Sequence, residues 1–251
     1  MTDHPILFQP NMIEALRQRG KTQTRRAPNT KNTLIDGRGW QRGEFDQLDW
    51  QAAWLDKGPS PAGNAGPYLK VPHLNGDTVH RVYPRVQFND RFWVKEAHFA
   101  LGRWVKKSEL KKNGQPKMKF VQNPCEPVRF VEPDHALRFP RDTTFGWYPR
   151  NSLFMSRADS RTTLWPVVNV RFQRLNELSI NDAMSEGIEK QDLEDGYTGF
   201  KDYSGHPTAF EFPIQSFRTL IISINGPEIW AENRWVLAYS FGVDHRNIDR
   251  A

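Results

Sequence analysis

The amino-acid sequence predicts an α+β fold, a small mixed β-barrel with flanking helices and long loop insertions. Helix-like and strand-like segments follow one another in mixed order, and long stretches rich in Gly, Pro, Asn and Asp separate them. No internal repeat occurs at the periods of about 20 to 50 residues that are typical of solenoids and propellers. Because a single domain commonly reaches this length, we predict one domain over residues 1–251.

The chain begins with a predicted strand at residues 6–8 and a helix from about Asn11. This helix has Met12, Ile13 and Leu16 on its apolar face and ends at Gly20. The stretch "GKTQTRR" follows as a basic turn. It combines hydroxyl groups with cations directly after a helix, so it is a candidate for a functional segment.

Five further elements are predicted after the first 84 residues. "DRFWVKEA" and residues 167–172 indicate strands, "PIQSFRTLIISING" a helix, and "NRWVLAYSFGV" the last strand. The short segment "SINDAMSEGI" carries helix signals, with Ser179 as N-cap, Asp182 as capping-box partner and Gly187 as the stop. Its inward-facing residues are predicted to be Ile180, Ala183 and Met184.

Three polar segments interrupt this order, at about residues 27–84, 104–146 and 189–212. They show no sustained hydrophobic period, so we predict irregular insertions. The run "KKSELKKNGQPKMK" in the second insertion indicates a solvated hairpin or loop. Since the insertions flank the basic turn, we expect them to form the rim of a pocket.

Composition limits the class of protein. The formal charge of +6 favours an anionic partner such as a nucleotide or RNA. One cysteine, Cys125, excludes an intramolecular disulfide, and the seven histidines lack metal-site spacing, so we expect no metal. The sequence shows no signal peptide and no apolar run of about 18 residues, which predicts a cytoplasmic protein without membrane contact.

The segments "RGKTQTRR", "DRFWVKEA", "SRADSRTTLWPVVNVRFQRLNELSINDAMSEGI" and "SINGPEIWAENRWVLAYSF" occur in an order that resembles the ASCH-domain family. The resemblance is narrower to the enlarged members encoded by phages, prophages and environmental DNA. It covers about half of the chain and leaves the insertions outside. It implies a PUA-like β-barrel.

The resemblance implies two kinds of function. Most ASCH domains have been regarded as RNA-associated modules, whereas a small bacterial member is an amidohydrolase that removes the acetyl group from N4-acetylcytidine. That enzyme uses a Lys and a Thr of the N-terminal turn and a Glu of the short helix. The matching residues here are Lys21, Thr24 and Glu186. No cofactor is implied.

Amide hydrolysis gives these residues distinct roles. Lys21 acts as a base only if its pKa falls, and Arg19, Arg25 and Arg26, together with partial burial, would lower it. Thr24 is then the nucleophile, or the group that positions an attacking water. Glu186 would protonate or hold the departing amine. In a regular strand residues 21 and 24 point to opposite faces, so the segment cannot be plain β-strand if the site is real.

Structural roles are the alternatives for the same side chains. Lys21 would be a solvated lysine at a helix end, Thr24 would satisfy backbone groups of the turn, and Glu186 would lie at the surface.

The resemblance also implies residues that bind the substrate. They are expected to be Arg26, Trp93, Glu96, Arg157 and Arg161, through stacking on a base and reading of its polar edges. The alternatives are that Trp93 belongs to the core and that Glu96 pairs with an arginine.

The sequence leaves three functions open. The first is metal-independent deacylation of N4-acylated cytidine or a related nucleoside. The second is a non-catalytic RNA- or DNA-binding module, in which the basic turn and the run at residues 105–119 follow a phosphate backbone. The third is binding of a partner through the insertions. The acyl group, the choice between nucleoside, nucleotide and polymer, and the oligomeric state are left open.

Overall fold

The computed structural model describes residues 1–18, 20–56, 58, 67–137, 143–193, 196 and 198–251, and it is an α+β structure built mainly from strands. The strands are β1 (Asp3–Leu7), β2 (Gln23–Arg26), β3 (Thr33–Ile35), β4 (Trp54–Asp56), β5 (Tyr68–Pro72), β6 (Val79–Pro84), β7 (Arg91–Lys95), β8 (His98–Leu110), β9 (Pro116–Gln122), β10 (Gly146–Arg150), β11 (Thr163–Arg174), β12 (Lys190–Asp192), β13 (Thr198–Lys201), β14 (Ala209–Phe210) and β15 (Trp235–Asp244). The α-helices are α1 (Pro10–Gln18), α2 (Ile180–Ser185), α3 (Pro213–Asn225) and α4 (Glu228–Ala231). The predicted α+β class is therefore confirmed.

The chain divides into two compact units. The first unit contains Met1–His4, Glu14–Arg91 and Leu164–Val243. The second unit contains Pro5–Ile13, Phe92–Thr163 and Asp244–Ala251. The single domain expected from the sequence stays a prediction.

The first unit is built around three groups of strands. One group has the order β3-β6-β5-β4, another the order β12-β13-β14, and β11, β15 and β2 are neighbours in that order. Strands β15 and β2 are antiparallel, with Tyr239 opposite Thr24 and Leu237 opposite Arg26. This pair of strands carries part of the candidate site.

The second unit contains a three-stranded sheet with the order β10-β8-β9. Strands β8 and β9 form a long antiparallel hairpin whose register shifts between Lys106 and Leu110. At the base of the hairpin the rings of Trp104, Phe120 and Tyr148 pack edge to face. The guanidinium of Arg150 lies 4.3 Å from the centroid of the Phe120 ring. Such contacts between cations and rings hold the base of the hairpin in a defined position.

The described strands form open sheets and no closed barrel, so the barrel part of the fold prediction is not confirmed. Among the described residues, no helix combines the length and the apolar character needed to cross a membrane.

Local sequence signals located several of the regular elements. Helix α1 ends before Gly20, whose φ of 69° only glycine adopts without strain. At the start of α2 the Ser179 hydroxyl accepts from the backbone N–H of Asp182, while the Asp182 carboxylate accepts from that of Ser179, both at 3.1 Å. The predicted strands near residues 92 and 167, the helix that ends at Gly226 and the last strand are also present.

The prediction of irregular insertions is wrong for two of them. The described part of residues 27–84 contains strands β3 to β6, and Leu69, Val71 and Val82 on these strands are completely buried. Residues 189–212 contain β12, β13 and β14. These strands are two to six residues long and are divided by turns, so their alternation is too short to show as a period. Residues 57, 59–66, 194, 195 and 197 lie outside the described residues.

In the second insertion, the cationic run forms the hairpin that the sequence allowed. Residues 138–142 of this insertion lie outside the described residues.

The predicted inward face of α2 is correct only for Ala183. Ile180 is 52% exposed and Met184 is 36% exposed. The buried part of this segment is instead its C-terminal end, where Glu186 and Ile188 are both buried. A helix of two turns has too few residues for its periodicity to define a face.

Candidate active site

Backbone hydrogen bonds fix the basic turn between α1 and β2. The N–H of Lys21 donates to the Ala15 carbonyl at 3.2 Å, and the N–H of Thr22 donates to the Ser185 carbonyl at 2.9 Å. The Thr22 carbonyl accepts from the N–H of Phe241 at 2.9 Å. The turn is therefore attached to α1, to the end of α2 and to β15, and it is not a free loop.

Lys21 is buried and bonded to Glu186. Its side chain is 1% exposed, and Nζ donates to Oε2 of Glu186 at 2.6 Å and to the Glu186 carbonyl at 2.8 Å. Lys21 is therefore not the solvated lysine that was the alternative interpretation. An ammonium in such a position loses its hydration and depends on these two acceptors.

Glu186 caps the C-terminal end of α2, and its side chain is also buried. A carboxylate at this end of a helix is disfavoured by the helix dipole. Two cations offset this cost, because Oε2 accepts from Lys21 and Oε1 accepts from Nη1 of Arg25 at 2.9 Å. The surface position considered for Glu186 is therefore excluded.

Gly187 allows this close approach. Its φ is 77°, and a Cβ added there would lie 2.7 Å from Cβ of Lys21 and 2.8 Å from Cβ of Ala15. Any larger residue would be strained and would displace Lys21. The turn and the end of α2 can pack together only because this position is glycine.

A second carboxylate extends the arrangement. Nη2 of Arg25 lies 3.2 Å from Oδ2 of Asp182, and Nη2 of Arg171 donates to Oδ1 of Asp182 at 2.7 Å. We call Lys21, Arg25, Arg171, Asp182 and Glu186 the Lys21 cluster. Because Asp182 and Glu186 are four residues apart at the two ends of α2, one face of this short helix presents both carboxylates to the cations.

The surroundings of Lys21 lower its pKa from the ordinary value of 10.5. Burial is the main cause, Glu186 opposes it, and the charges of Arg26 and Arg25 add to it more weakly. The sequence predicts this direction from the arginines and partial burial, and burial is the larger effect. Arg19, which was also invoked, lies outside the described residues.

The net charge of the Lys21 cluster also favours a lowered pKa of Lys21. The Lys21 cluster contains three cationic side chains and two carboxylates, so it carries one excess positive charge when Lys21 is protonated. Loss of the Lys21 proton leaves Arg25 and Arg171 balanced by Asp182 and Glu186 within the cluster, and the nearby charge of Arg26 adds to the positive excess that favours this loss. A buried cluster favours the balanced state, because an uncompensated charge is costly to desolvate.

Asp182 stays ionised over a wide pH range. Burial raises its pKa, but hydrogen bonds from the Ser179 backbone and from Arg171, with the charge of Arg25, outweigh burial and lower the pKa to about 2. Asp182 is thus a permanent negative charge at neutral pH. It anchors Arg25, which in turn holds Glu186.

Thr24 lies on β2 and is buried. Successive residues of a strand point to opposite faces, so Thr24 lies on the face opposite to Arg25. In the described part of the chain, no hydrogen bond joins its hydroxyl to Lys21 or Glu186. The structure therefore brings Lys21 and Glu186 together without adding Thr24 to their hydrogen bonds. The condition that residues 21–24 are not one regular strand is met, because β2 begins at Gln23.

Arg26 and Tyr239 share the face of Thr24. Arg26 is two residues along β2, and Tyr239 is the residue opposite Thr24 on β15. Burial lowers the pKa of Arg26 and raises that of Tyr239. We call Thr24, Arg26 and Tyr239 the Thr24 face. Sequence reasoning missed Tyr239, although a tyrosine within the apolar run "WVLAYSF" is a sign of a buried polar group.

The remaining predicted substrate-binding residues belong to the second unit. Glu96 is buried and forms two hydrogen bonds with Arg161, at 3.0 and 2.8 Å. The guanidinium of Arg161 also lies 3.7 Å from the centroid of the Phe130 ring. This is the arginine pairing that was considered as the alternative for Glu96.

Trp93 and Arg157 are the other two of these residues. Trp93 is half-buried, with Nζ of Lys95 5.4 Å from its ring centroid, so it is not a fully buried core residue. Arg157 is half-buried and its Nε donates to Asp249 at 3.1 Å. The binding roles of these residues, and of Arg26, stay predictions.

No group of three His, Cys, Asp or Glu side chains with the arrangement of metal ligands occurs in the described ranges. No family model, no curated protein and no solved structure matches the chain.

Proposed function

We propose that the protein is a metal-independent amidohydrolase of the ASCH type, with a PUA-like fold, that converts N4-acylated cytidine or a related acylated nucleoside to cytidine or the corresponding nucleoside and a carboxylic acid. The observation that carries this proposal is the buried pair of Lys21 and Glu186, in which burial depresses the pKa of the lysine. A lysine whose pKa is lowered gives up its proton more easily, and an uncharged lysine is the base that hydrolysis of an amide needs.

In the proposed reaction, neutral Lys21 takes the proton from the Thr24 hydroxyl, or from a water that Thr24 positions. The oxygen attacks the acyl carbon, and the carbonyl electrons move to its oxygen. The C–N bond then breaks, and the Lys21 ammonium returns the proton to the departing N4 amine. If Thr24 is the nucleophile, water hydrolyses the resulting ester in a second cycle.

Glu186 supports Lys21 during this cycle. Its carboxylate accepts from Nζ at 2.6 Å and so stabilises the ammonium that forms when Lys21 takes the proton. A buried carboxylate has the same part beside the histidine of serine proteases. Since Glu186 already accepts from Lys21 and Arg25, we assign it this positioning role in preference to direct protonation of the amine.

The Thr24 face supplies the other groups. Arg26 is a cation on the same side of β2 as Thr24, so we propose that it stabilises the developing oxyanion. Catalytic hydrogen bonds in ligand-free enzymes are often long and shorten when substrate binds. A bond from Thr24 to Lys21, directly or through one water, is therefore expected only with substrate.

The test is release of cytidine from N4-acetylcytidine and from an N4-benzoyl analogue in the presence of a chelator, followed by chromatography. Wild type should release cytidine, while Lys21→Ala and Thr24→Ala should not. Lys31→Ala is the matched control, because Lys31 is exposed in the same unit. Absence of release by folded wild-type protein would overturn the proposal.

A second candidate function is nucleic-acid binding without turnover, and the β8–β9 hairpin favours it. The hairpin exposes the side chains of Lys106, Lys107, Lys111, Lys112, Lys117 and Lys119. A two-stranded ribbon of this kind can lie along a phosphate backbone. The basic turn does not support this function equally, because Lys21 and Arg25 are buried and bonded to carboxylates.

A further inference from the structure

The first unit contains a pocket that the proposed reaction does not use. Its volume is about 270 Å³, and its walls include Pro28, Phe45, Trp50, Arg174, Arg234 and Trp235. Phe45 and Trp50 come from the segment that the sequence indicated as an insertion, Pro28 follows β2, and Trp235 begins β15. Large aromatic side chains that line a cavity, with arginines beside them, are typical of a site for a planar ring.

Ring packing and hydrogen bonds hold the aromatic walls in place. The rings of Phe45 and Trp50 have centroids 4.6 Å apart, and Trp40 packs against Phe45 at 5.0 Å. Nε1 of Trp50 donates to the Phe45 carbonyl at 3.3 Å, and Nε1 of Trp235 donates to the Ala53 carbonyl at 3.2 Å. Because the polar edges of both indoles are bonded within the protein, apolar ring surface is what these residues offer a ligand, and half-buried Trp50 offers more of it than buried Trp235.

The side chains of Arg174 and Arg234 differ in how firmly they are bonded within the protein. Arg174 lies 4.4 Å from the Trp235 ring and donates to the carbonyls of Gln51 and Ala53, so it is part of the wall. Arg234 has a side chain that is 54% exposed, and its contact within the protein is to Glu232, which is itself partly exposed. Exposed ion pairs contribute little to stability, so Arg234 can exchange Glu232 for a phosphate at small cost.

The pocket lies along the same strand as the Thr24 face. Trp235 and Tyr239 are four residues apart on β15 and point to the same side of the sheet. At the rise of a strand this separation is about 13 Å. The pocket is thus a distinct place from Thr24, and a ligand there does not need to be a substrate.

We propose that this pocket stacks one base of a single-stranded nucleic acid against Trp50, with the adjoining phosphate on Arg234. Stacking on aromatic side chains accepts any base, because every base has a π-face. An exposed arginine at the rim gives the phosphate contact that holds a polymer. The proposal requires no turnover and is independent of the amidohydrolase reaction.

The test measures binding of a pentameric single-stranded oligocytidylate and of CMP to the full chain by calorimetry. Trp50→Leu removes the stacking ring and should weaken oligonucleotide binding about tenfold, whereas Trp50→Phe should retain most of the affinity. Arg234→Gln should weaken binding a few-fold at low salt and much less at high salt. Trp54→Leu is the matched control, because Trp54 is exposed and outside the pocket.

The outcomes distinguish a nucleic-acid polymer from a free nucleotide as the ligand, and this pocket from another binding surface. Unchanged oligonucleotide affinity in Trp50→Leu with wild-type circular dichroism would overturn the proposal and assign binding to another surface. If CMP binds as tightly as the oligonucleotide and with the same dependence on Trp50, the occupant is a free nucleotide, and the polymer part of the proposal is wrong. Failure of cytidine release leaves each of these measurements unaffected.

Discussion

The basic turn at residues 20–26 and the β8–β9 hairpin both carry several cations, yet their surroundings are opposite. In the turn, Lys21 and Arg25 are buried and bonded to carboxylates. In the hairpin, the lysines are exposed, and Glu109 is the carboxylate near Lys107 and Lys117. Burial shifts the pKa of a cationic side chain, whereas an exposed cation keeps its charge and mainly attracts anions. Similar sequence composition thus gives buried cations bonded to carboxylates in one place and exposed cations in the other.

The largest expected effect concerns the proton on Lys21. Lys21→Arg keeps a positive charge that cannot be lost at neutral pH, so cytidine release should fall about 10³-fold. Lys117→Arg in the hairpin should leave the rate unchanged. Both rates are measured with N4-acetylcytidine, and thermal unfolding checks that the variants are folded. A folded Lys21→Arg protein with a rate within about twofold of wild type would remove the base role of Lys21.

The next effect concerns stability. Glu186→Ala leaves Lys21 and Arg25 buried without their shared acceptor, which should lower the free energy of unfolding by about 3 kcal/mol. Glu109→Ala removes the partner of exposed lysines and should cause no measurable change. Urea unfolding at neutral pH compares the two variants. Equal losses would contradict the contrast drawn between the turn and the hairpin.

A smaller effect on the free energy of unfolding is expected at low pH. The folded-state pKa of Asp182 is about 2, below its ordinary value of 3.8, so its contribution to stability is present above pH 3.8 and is lost as pH falls through 2. This contribution is about 2 kcal/mol. Urea unfolding at a series of pH values should show a smaller acid-induced loss for Asp182→Asn than for wild type. The same slope in both proteins would show that Asp182 is not held ionised by its partners.

The smallest effect concerns salt. If the hairpin contacts a phosphate backbone, Lys119→Gln should weaken oligonucleotide binding modestly and should reduce the salt slope of log K by about one. Lys31→Gln, at an exposed lysine of the first unit, should leave the slope unchanged. Titrations at several salt concentrations measure this. A slope that is insensitive to Lys119 would remove the hairpin from the binding surface.

Local signals explain which parts of the fold could be predicted. The capping box of Ser179 and Asp182, the stop at Gly20 and the apolar run of β15 each depend on a few adjacent residues. The strands within residues 27–84 depend on pairing between distant segments, such as Leu69 with Val82, and a short polar sequence does not show that pairing.

The candidate site was predictable in part for a similar reason. The resemblance indicated Lys21, Thr24 and Glu186, and the i, i+4 spacing of Asp182 and Glu186 would have placed both carboxylates on one helix face. The contribution of Arg171 could not be found, because β11 and α2 meet only in the folded chain. The separation of Thr24 from the Lys21 cluster depends on where β2 begins, and sequence patterns fix such boundaries poorly.

The most direct test of the central claim is the pH dependence of cytidine release from N4-acetylcytidine, corrected for release without protein. Burial lowers the pKa of Lys21, so the folded protein loses this proton at a pH where an ordinary lysine is still charged. The rate should therefore rise with pH to a plateau, with a midpoint below 10.5, and Lys21→Arg should lack this ionisation. A rate that is independent of pH in this range, or a profile that Lys21→Arg reproduces, would contradict the account.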